Sequence, residues 1–289
     1  MVTSHGAMRL DDDVALENGV GWSVIIPVKA LHAAKSRMSA AIPPAELAFA
    51  FFEDTLAAAL ACPQVSEVLV ATQDARIAAR GHSQGCLVVR DSEHPGINAA
   101  VAWAAGHARA VDRLAVIVSD LPCLTPEALG SVLDAAAGHP TAFLADADGT
   151  GTAMWFATDG ATVRTHFGAD SRASHQAAGA VDLVDAHPAS AQAWTVARRD
   201  VDTAAALDDA ALLGLGEHTA AALDQVAVAG EVRTVVQRTG DEVVLVDENG
   251  RLSAIAWQVA VDAGLVDLRR GQRVVVGVGA DGSACLALP

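Results

Sequence analysis

The order of apolar segments along the chain is the feature that most constrains its fold. Short apolar runs, typical of strands buried on both faces, alternate with longer Ala- and Leu-rich segments that have helical spacing. The first strand is predicted at 22–28 and the first helix at 44–61. Further strands are predicted at 67–71, 86–89, 114–118, 141–145 and 152–157, with helices after Asp74, from Asn98 as N-cap to residue 110, after Thr125, at 171–178 and at 203–213. This alternation indicates a three-layer α/β fold with a mostly parallel sheet.

The sequence changes character near residue 225. Asn249-Gly250 is a strong hairpin signal, and it lies among five short β-type runs, at 231–236, 242–246, 252–257, 273–278 and 285–288. We therefore predict a small C-terminal β-barrel of the OB or cold-shock kind. The predicted organisation is a disordered tail over 1–20, an α/β domain over 21–216, a linker over 214–224 and the barrel over 225–289.

The overall charge restricts the partners. The chain has 19 Lys and Arg residues against 35 Asp and Glu residues, and this net charge of −16 opposes diffuse binding to nucleic acid or to anionic lipid. The segment 225–289 has more acidic than basic residues, and Trp257 is its single aromatic, so a structural or homodimer-forming role fits it better than binding of single-stranded nucleic acid. There is no apolar run long enough for a membrane span, no secretory-signal pattern and no CxxC pair, so we expect a cytoplasmic protein without a zinc site or disulfides.

The basic residues contain a more specific signal. Only Lys29 and Lys35 are lysines, and both lie in P-V-K-A-L-H-A-A-K-S-R, directly after the first strand. A lysine ammonium contacts phosphate oxygens as a point charge. Ligands of open parallel sheets bind beyond the carboxyl ends of the strands. This segment, which also contains Ser36 and Arg37, is therefore a candidate phosphate-binding loop.

Acidic residues follow at two other places. Asp120 in S-D-L-P comes directly after the fourth strand, and Asp202 in D-V-D-T precedes a helix. Because Mg²⁺ prefers one or two carboxylates together with phosphate oxygens and water, we predict that Asp120 and Asp202 bind Mg²⁺. Asp120, two residues before Pro122, is also typical of a residue that caps a turn, and this alternative stays open.

Two glycine-containing segments are further candidates for anion binding. G-T-G-T at 149–152 offers backbone N–H groups and threonine hydroxyls, and F-G-A-D-S at 167–171 opens a predicted helix. Each alone is also typical of a simple turn or helix N-cap. The chain lacks G-x-G-x-x-G, G-x-x-x-x-G-K-[ST] and G-x-S-x-G, so dinucleotide-binding, P-loop and α/β-hydrolase classes lose their main support.

Taken together, these segments resemble one family. V-I-I-P-V-K-x-L-x-x-A-K-S-R-M, V-S-D-L-P, G-T-G-T-A, F-G-A-D-S-x-x-x-H and D-V-D-T are similar to the motifs of the phospholactate/phosphoenolpyruvate guanylyltransferases of deazaflavin coenzyme F-420 biosynthesis. The resemblance covers about residues 22–216 and implies a nucleotide-diphospho-sugar-transferase-like fold. Ser119 stands where relatives often have Gly, and the C-terminal barrel lies outside the match.

The resemblance also implies a nucleotide site. Its substrates would be GTP and phosphoenolpyruvate, with Mg²⁺ as the cofactor. The GTP phosphates would bind to Lys29, Lys35, Ser36 and Arg37, and Asn98 would lie near the nucleoside.

The same resemblance assigns the remaining residues. Asp120 would join the two lysines and the arginine of the first loop as the catalytic set, and Asp120 and Asp202 would hold the metal. Thr152, Gly168 and Ser171 would bind the acceptor.

The acceptor itself stays open among three phosphorylated acids. Phosphoenolpyruvate is favoured over 2-phospho-L-lactate and 3-phospho-D-glycerate because an Ala-, Val- and Arg-rich composition is typical of a GC-rich bacterial gene, and bacterial members are associated with it. Each acceptor offers a phosphate oxygen that is ionised at pH 7, so the reaction needs positioning and charge neutralisation rather than a general base. Other nucleotidyltransferases of the same fold usually have a glycine-rich loop after the first strand, where this chain has P-V-K-A-L-H-A-A-K-S-R.

Overall fold

The structure, a computed structural model, describes residues 21–31, 42–90, 96–109, 112–158, 163–229, 231–263, 265, 267–278 and 284–287. The tail predicted over 1–20 lies outside these residues. The strands are β1 (Trp22–Val28), β2 (Val65–Thr72), β3 (Leu87–Val89), β4 (Arg113–Ile117), β5 (Thr141–Ala145), β6 (Thr152–Thr158), β7 (Val181–Asp182), β8 (Glu231–Thr239), β9 (Glu242–Val246), β10 (Leu252–Ala256), β11 (Arg273–Val278) and β12 (Ala284–Ala287). The helices are α1 (Pro44–Ala61), α2 (Ala75–Ser83), α3 (Ile97–Ala105), α4 (Pro126–Ala136), α5 (Ser171–Ala177), α6 (Leu183–Ala186), α7 (Thr195–Arg198), α8 (Ala204–Leu213), α9 (Glu217–Ala229) and α10 (Trp257–Asp262).

The first seven strands form one mixed sheet in the order β3-β2-β1-β4-β6-β5-β7. The pairs β1–β2, β1–β4, β2–β3 and β5–β7 are parallel, whereas β6 runs antiparallel to both β4 and β5. The predicted mostly parallel α/β sheet is therefore confirmed, with β6 as the strand that reverses direction.

Burial on both faces explains the apolar strand sequences. All seven residues of β1 are buried, and alternate side chains point to opposite faces of the sheet. Val24 and Ile26 pack in a cluster with side chains of α1 and α4, whereas Ile25 packs in a second cluster with Val101 of α3. Helices thus cover both faces, which is the three-layer architecture that the sequence indicates.

Side-chain caps fix where two of the helices begin. The hydroxyl of Thr125 accepts a hydrogen bond from Ala128 N at the start of α4. The carboxylate of Asp74 accepts from Arg76 N and Ile77 N at the start of α2. Both caps satisfy backbone N–H groups that have no partner within the helix, as the sequence predicts.

The prediction for the start and end of α3 is wrong. The helix begins at Ile97 with Gly96 as its N-cap, and it ends at Ala105 rather than at residue 110. Asn98 does not cap it, because its side-chain oxygen accepts hydrogen bonds from Phe167 N and Thr165 Oγ1 instead. The side chain of Asn98 therefore contacts a segment almost 70 residues away instead of capping its own helix.

The segment predicted as a linker, 214–224, is mostly helical, because α9 occupies most of it and packs against α1. The reason is a capping carboxylate from elsewhere in the chain. Asp54 of α1 is buried and accepts hydrogen bonds of 2.9 Å from both His218 N and Thr219 N at the start of α9. The boundaries predicted at 216 and 225 remain predictions.

The last five strands form a separate antiparallel sheet in the order β10-β9-β8-β11-β12. Its core contains Val243, Leu245 and Val274 together with Ala260 of α10. The five predicted strands are confirmed, but the last residue of the predicted run 252–257, Trp257, begins α10 instead.

Candidate functional site

A cleft of about 1000 Å³ opens at the edge of the main sheet where β1, β2 and β4 end. Lys29 follows β1, Gln73 follows β2 and Asp120 follows β4, and all three line the cleft. Thr152 also lines it, although it begins a strand. Since β6 runs antiparallel to β4, the start of β6 lies at the same edge as the end of β4. The cleft thus occupies the edge where ligands of open α/β sheets bind.

Part of the predicted phosphate-binding loop lies in this cleft. Lys29 lines it, and the backbone two residues later is held in place because Leu31 N donates a 3.0 Å hydrogen bond to Asp74 Oδ2. The other three residues predicted for this loop, Lys35, Ser36 and Arg37, lie outside the described residues. Their phosphate contacts stay predictions.

Six aspartates line the cleft, and four of them interact with one another electrostatically. We refer to these four, Asp120, Asp146, Asp200 and Asp202, as the acidic wall. Val201 N donates a 3.1 Å hydrogen bond to the carbonyl oxygen of Asp120, which places D-V-D-T beside S-D-L-P. Burial, together with the negative charges of the other three aspartates, raises the pKa of Asp200 to about 7. The acidic wall therefore carries unfavourable like-charge repulsion.

The acidic wall fits a divalent cation, because a cation among these carboxylates would relieve the repulsion that raises the pKa of Asp200. Within the described part of the chain, no group of three or more His, Cys, Asp and Glu side chains has the arrangement of a preformed metal site. Mg²⁺ usually takes several of its ligands from phosphate oxygens and water. Both predicted ligands, Asp120 and Asp202, line the cleft, and their metal binding stays a prediction.

Asp146 fixes the shape of the G-T-G-T loop. Its carboxylate accepts hydrogen bonds from Thr150 N at 3.0 Å and Gly151 N at 2.8 Å. A Cβ atom at Gly151 would overlap the carboxylate, so a larger residue there would force the carboxylate or the loop to move. Arg172 of α5 donates to the carbonyl of Gly149, and its backbone N–H donates to that of Thr150. The G-T-G-T and F-G-A-D-S segments are therefore neighbours in the fold.

A second set of contacts joins these segments, and we refer to Thr152, Ser171 and His175 as the hydroxyl cluster. The two hydroxyl oxygens are 3.1 Å apart, and Thr152 Oγ1 is 3.0 Å from His175 Nδ1. On the other side of the ring, His166 N donates to His175 Nε2 at 2.9 Å. All three members are buried, yet Thr152 and Ser171 still line the cleft.

Burial also determines the charge of the hydroxyl cluster. Burial and, to a smaller extent, the nearby ring of His166 lower the pKa of His175 to about 4, although a hydrogen bond to the backbone of Ser171 opposes the shift. The ring is therefore neutral at pH 7.

The F-G-A-D-S loop has an unusual backbone that α3 holds in place. Gly168 has φ 141° and Asp170 has φ 53°, a region that L side chains rarely adopt. Asn98 Nδ2 donates to the Phe167 carbonyl, and Asn98 Oδ1 accepts from Phe167 N and from Thr165 Oγ1. Gly168 lines the cleft, and its predicted binding of the acceptor stays a prediction, whereas Asn98 is not among the lining residues. Its predicted place near the nucleoside is untested.

The sequence reasoning did not assign Asp146, Asp200 and His175, although signals for them exist. Asp200 is two residues before Asp202, and in an extended segment residues two apart point to the same side. Asp146 directly follows β5. His175 is four residues after Ser171, one turn further along α5, so both side chains lie on one helix face.

A three-layer α/β sheet with a lysine, an acidic wall and anion-compatible hydroxyls at one edge is typical of nucleotide-dependent transferases, and the family of the chain shows the same class. Residues 22–239 match the profile of the family described as Guanylyl transferase CofC like, and the chain belongs to this family. A phosphoenolpyruvate guanylyltransferase from Streptomyces coelicolor is 43% identical over 216 residues, which cover 73% of this chain and 99% of that protein. A protein of the same name from Salinispora arenicola is 44% identical over 204 residues, which cover 69% of this chain and 92% of that protein.

Two solved structures have a similar arrangement of elements. One is a putative nucleotide-diphospho-sugar transferase from Desulfovibrio desulfuricans G20, with a TM-score of 0.48 and 15% identity over 72% of this chain and 95% of that chain. The other is a nucleotidyl transferase from Methanothermobacter thermautotroptrophicus, with a TM-score of 0.47 and 16% identity over 68% of this chain and 98% of that chain. Among the described residues, no helix has the length and apolar character that a membrane span requires.

Proposed function

We propose that the chain transfers GMP from GTP to phosphoenolpyruvate, giving enolpyruvyl-2-diphospho-5'-guanosine and pyrophosphate for coenzyme F-420 biosynthesis. The observation that carries this proposal is that one cleft is lined by Lys29, the acidic wall and the two hydroxyl residues of the hydroxyl cluster, Thr152 and Ser171. Family membership and the names of the two relatives support the same reaction. The acceptors 2-phospho-L-lactate and 3-phospho-D-glycerate remain the alternatives.

The reaction balances without an enzyme base. One oxygen of the acceptor phosphate attacks the α-phosphorus of GTP, a new P–O bond forms, and the bond to the β-phosphate oxygen breaks to release pyrophosphate. The attacking oxygen is already ionised at pH 7, so the enzyme only has to align two polyanions and neutralise their charge.

The proposed roles of Lys29, the aspartates and the acceptor-binding residues are supported by their positions in the cleft, and the other roles rest on the family resemblance. Lys29, with Lys35, Ser36 and Arg37, binds the GTP phosphates, and Asn98 keeps the loop that follows residue 165 close to the nucleotide. Asp120 and Asp202 would hold Mg²⁺, which would supply positive charge to the phosphate oxygens. Thr152, Gly168 and Ser171 bind the acceptor through hydroxyl and backbone groups.

The proposed role of the C-terminal sheet is structural. We propose that residues 225–289 form a partial barrel of the OB or cold-shock kind and that they follow an α/β domain over 21–216. We also propose that the protein is cytoplasmic, and a homodimer is one assembly to test. The Arg238 guanidinium lies 3.7 Å from the centre of the Trp257 ring, and this contact occupies the single aromatic of the segment. This arrangement supports a structural role over base stacking.

Pyrophosphate release tests the proposed reaction. Purified protein is incubated with GTP, Mg²⁺ and each of the three acceptors in turn, and the product is identified by mass spectrometry. Release with phosphoenolpyruvate alone is the expected result. If only one of the other two acceptors supports release, that acceptor replaces phosphoenolpyruvate in the proposal. If none of the three supports release while GTP still binds, the proposed reaction is contradicted.

A further inference from the structure

The hydroxyl cluster has a fixed hydrogen-bond direction, which begins at a backbone amide. His166 N–H lies 2.9 Å from His175 Nε2, and an amide N–H can only donate, so Nε2 must carry a lone pair. A neutral imidazole has one protonated nitrogen, and here it is therefore Nδ1. Nδ1 is 3.0 Å from Thr152 Oγ1, so the ring donates to the threonine and shares this proton with the backbone of Ser171. In either bond the protonated Nδ1 has no lone pair for the threonine hydroxyl.

The surroundings of the ring keep it neutral. His175 is fully buried, and the rings of Phe143, Phe167 and His166 lie around it with centroids 5.4 to 5.8 Å away. The pKa of His175 is lowered to about 4 by this burial and by the one titratable neighbour that affects it, His166. A second ring proton would also require Nε2 to give up the hydrogen bond from the amide.

The direction of this hydrogen bond decides what the cleft presents to a ligand. Thr152 and Ser171 have two hydroxyl protons between them, and one of these protons lies in the 3.1 Å hydrogen bond that joins the two oxygens. Because His175 donates to Thr152, the ring does not consume the second proton. One hydroxyl of the pair therefore has a proton to donate toward the cleft that both residues line.

The opposite tautomer would reverse this property. If Nδ1 were a lone pair, Thr152 would donate to the ring and Ser171 would donate to Thr152. Both protons would then be used within the cluster, and the pair would offer only lone pairs to the cleft. Lone pairs repel a carboxylate or a phosphate, whereas a hydroxyl proton binds it through a strong charge-assisted hydrogen bond.

We propose that His175 is a positioning residue for the acceptor. By donating from Nδ1 to Thr152, it leaves one proton of the Thr152 and Ser171 hydroxyls for the carboxylate or phosphate of the phosphorylated acid. This inference rests on the proposed function and deepens it. His175 acts through Thr152 and does not touch the reacting atoms.

Two substitutions separate the two hydrogen bonds of the ring. In His175→Gln the side-chain oxygen can reach the Nε2 position and still accept from His166 N, but the donor to Thr152 is lost. In His175→Asn the amide nitrogen can occupy the Nδ1 position and still donate to Thr152. Each variant keeps one of the two bonds, so their thermal stabilities should fall by similar amounts.

Acceptor KM is the kinetic readout. We expect His175→Gln to raise the acceptor KM about tenfold, and His175→Asn to raise it clearly less, with the GTP KM the same in both. We also expect Thr152→Val to raise the acceptor KM, and His175→Gln to add nothing further in that background, because the histidine acts through the threonine. Equal effects of the Gln and Asn variants, or effects of Gln and Val that multiply, would overturn the positioning role.

The ring tautomer provides a readout that does not depend on turnover. Long-range ¹H–¹⁵N spectra of the full chain at pH 7 should show His175 with a protonated Nδ1 and an unprotonated Nε2. A protonated Nε2 would overturn this inference even if the enzyme releases pyrophosphate. If none of the three acceptors gives pyrophosphate release, the proposed function fails. The role of His175 toward the acceptor then fails with it, even if the tautomer is as expected.

Discussion

The acidic wall and the hydroxyl cluster face the same cleft, yet burial shifts the pKa values of their titratable groups in opposite directions. The pKa of Asp200 is raised to about 7, whereas that of His175 is lowered to about 4. In both cases burial disfavours the charged form, so the carboxyl tends to gain a proton and the imidazole to lose one. Burial therefore makes it unfavourable for the acidic wall to hold all its negative charges without a cation, and it keeps the imidazole of the hydroxyl cluster neutral, as a hydrogen-bond donor.

This difference matters because both proposed substrates are polyanions. The chain has a net charge of −16, so substrate binding must depend on groups placed inside the cleft. The acidic wall can approach a phosphate only with a cation between them. The hydroxyl cluster can contact an anion directly. We therefore expect the activity lost by substitutions in the acidic wall to depend on the metal concentration. The activity lost by substitutions in the hydroxyl cluster should depend on the acceptor concentration.

The largest expected effect is that of Asp120→Asn, which removes one charge of the acidic wall without changing its volume. We expect kcat/KM to fall at least about 100-fold, because several kcal/mol of charge stabilisation depend on the metal. Pyrophosphate release at several Mg²⁺ concentrations measures this. Asp208→Asn is the matched control, since Asp208 is exposed on α8 and does not line the cleft. Near-normal turnover of Asp120→Asn at saturating Mg²⁺ would contradict the metal role.

The second prediction concerns a substitution, Gly151→Ala, that should disturb both the acidic wall and the hydroxyl cluster. Gly151 lies between the acidic wall and the hydroxyl cluster, and an added Cβ would overlap the carboxylate of Asp146. We expect Gly151→Ala to lower the free energy of unfolding by about 1–3 kcal/mol and to raise the acceptor KM, because the loop must move. Thermal unfolding and initial rates measure the two effects.

The control for this glycine substitution is Gly138→Ala. A Cβ there would lie 3.8 Å from its nearest neighbour, the carbonyl oxygen of Ala135, so little change is expected. Equal effects of the two substitutions on stability and on acceptor KM would show that Asp146 does not determine the shape of the G-T-G-T loop.

Much of the fold could be predicted because its strands are local and strongly apolar. The predicted bounds of the first strand, the first helix and β5 agree with the structure, since burial on both faces leaves a continuous apolar run. The helix α9 was not predicted, because its cap is Asp54, a residue 164 positions away from His218. Contacts at such separation leave no local pattern.

The candidate site divides in the same way. Lys29 and Asp120 could be predicted because each directly follows a strand of the parallel sheet. The hydroxyl cluster was only partly predicted. The proposed role of His175 depends on the hydrogen bond that its ring accepts from His166 N. A backbone N–H in a loop can belong to any residue type, so this donor has no signature in the sequence. A strand reversal, which sequence spacing did not reveal, brings Thr152 to the same edge as Asp120.

A third prediction sharpens the comparison through the pH dependence of stability. The folded chain binds the Asp200 proton more tightly than the unfolded chain does, because the pKa of this carboxyl is raised from 3.8 to about 7. Its contribution to stability is therefore lost as the pH rises from about 4 to 7. In EDTA, we expect Asp200→Asn to be more stable than wild type by about 2 kcal/mol above pH 7 and similar to it near pH 4.

Chemical denaturation across this pH range measures the difference. Mg²⁺ should reduce the advantage of Asp200→Asn at pH 8, since a bound cation relieves the same repulsion in the wild-type protein. Asp208→Asn again serves as the control and should show no such pH dependence. A stability difference between Asp200→Asn and wild type that stays constant with pH would contradict the raised pKa.

The smallest expected effect comes from the hydroxyl cluster and has the opposite sign. The folded chain holds His175 neutral down to about pH 4, whereas the unfolded chain takes up a proton near pH 6.5. The stability that this histidine contributes is thus present above about pH 6.5 and is lost as the pH falls toward 4. We expect wild type to lose about 1 kcal/mol more than His175→Gln over this interval. Parallel acid-side declines of the two proteins would show that the ring is not held neutral, and the two sides of the cleft would then no longer differ in the way that burial requires.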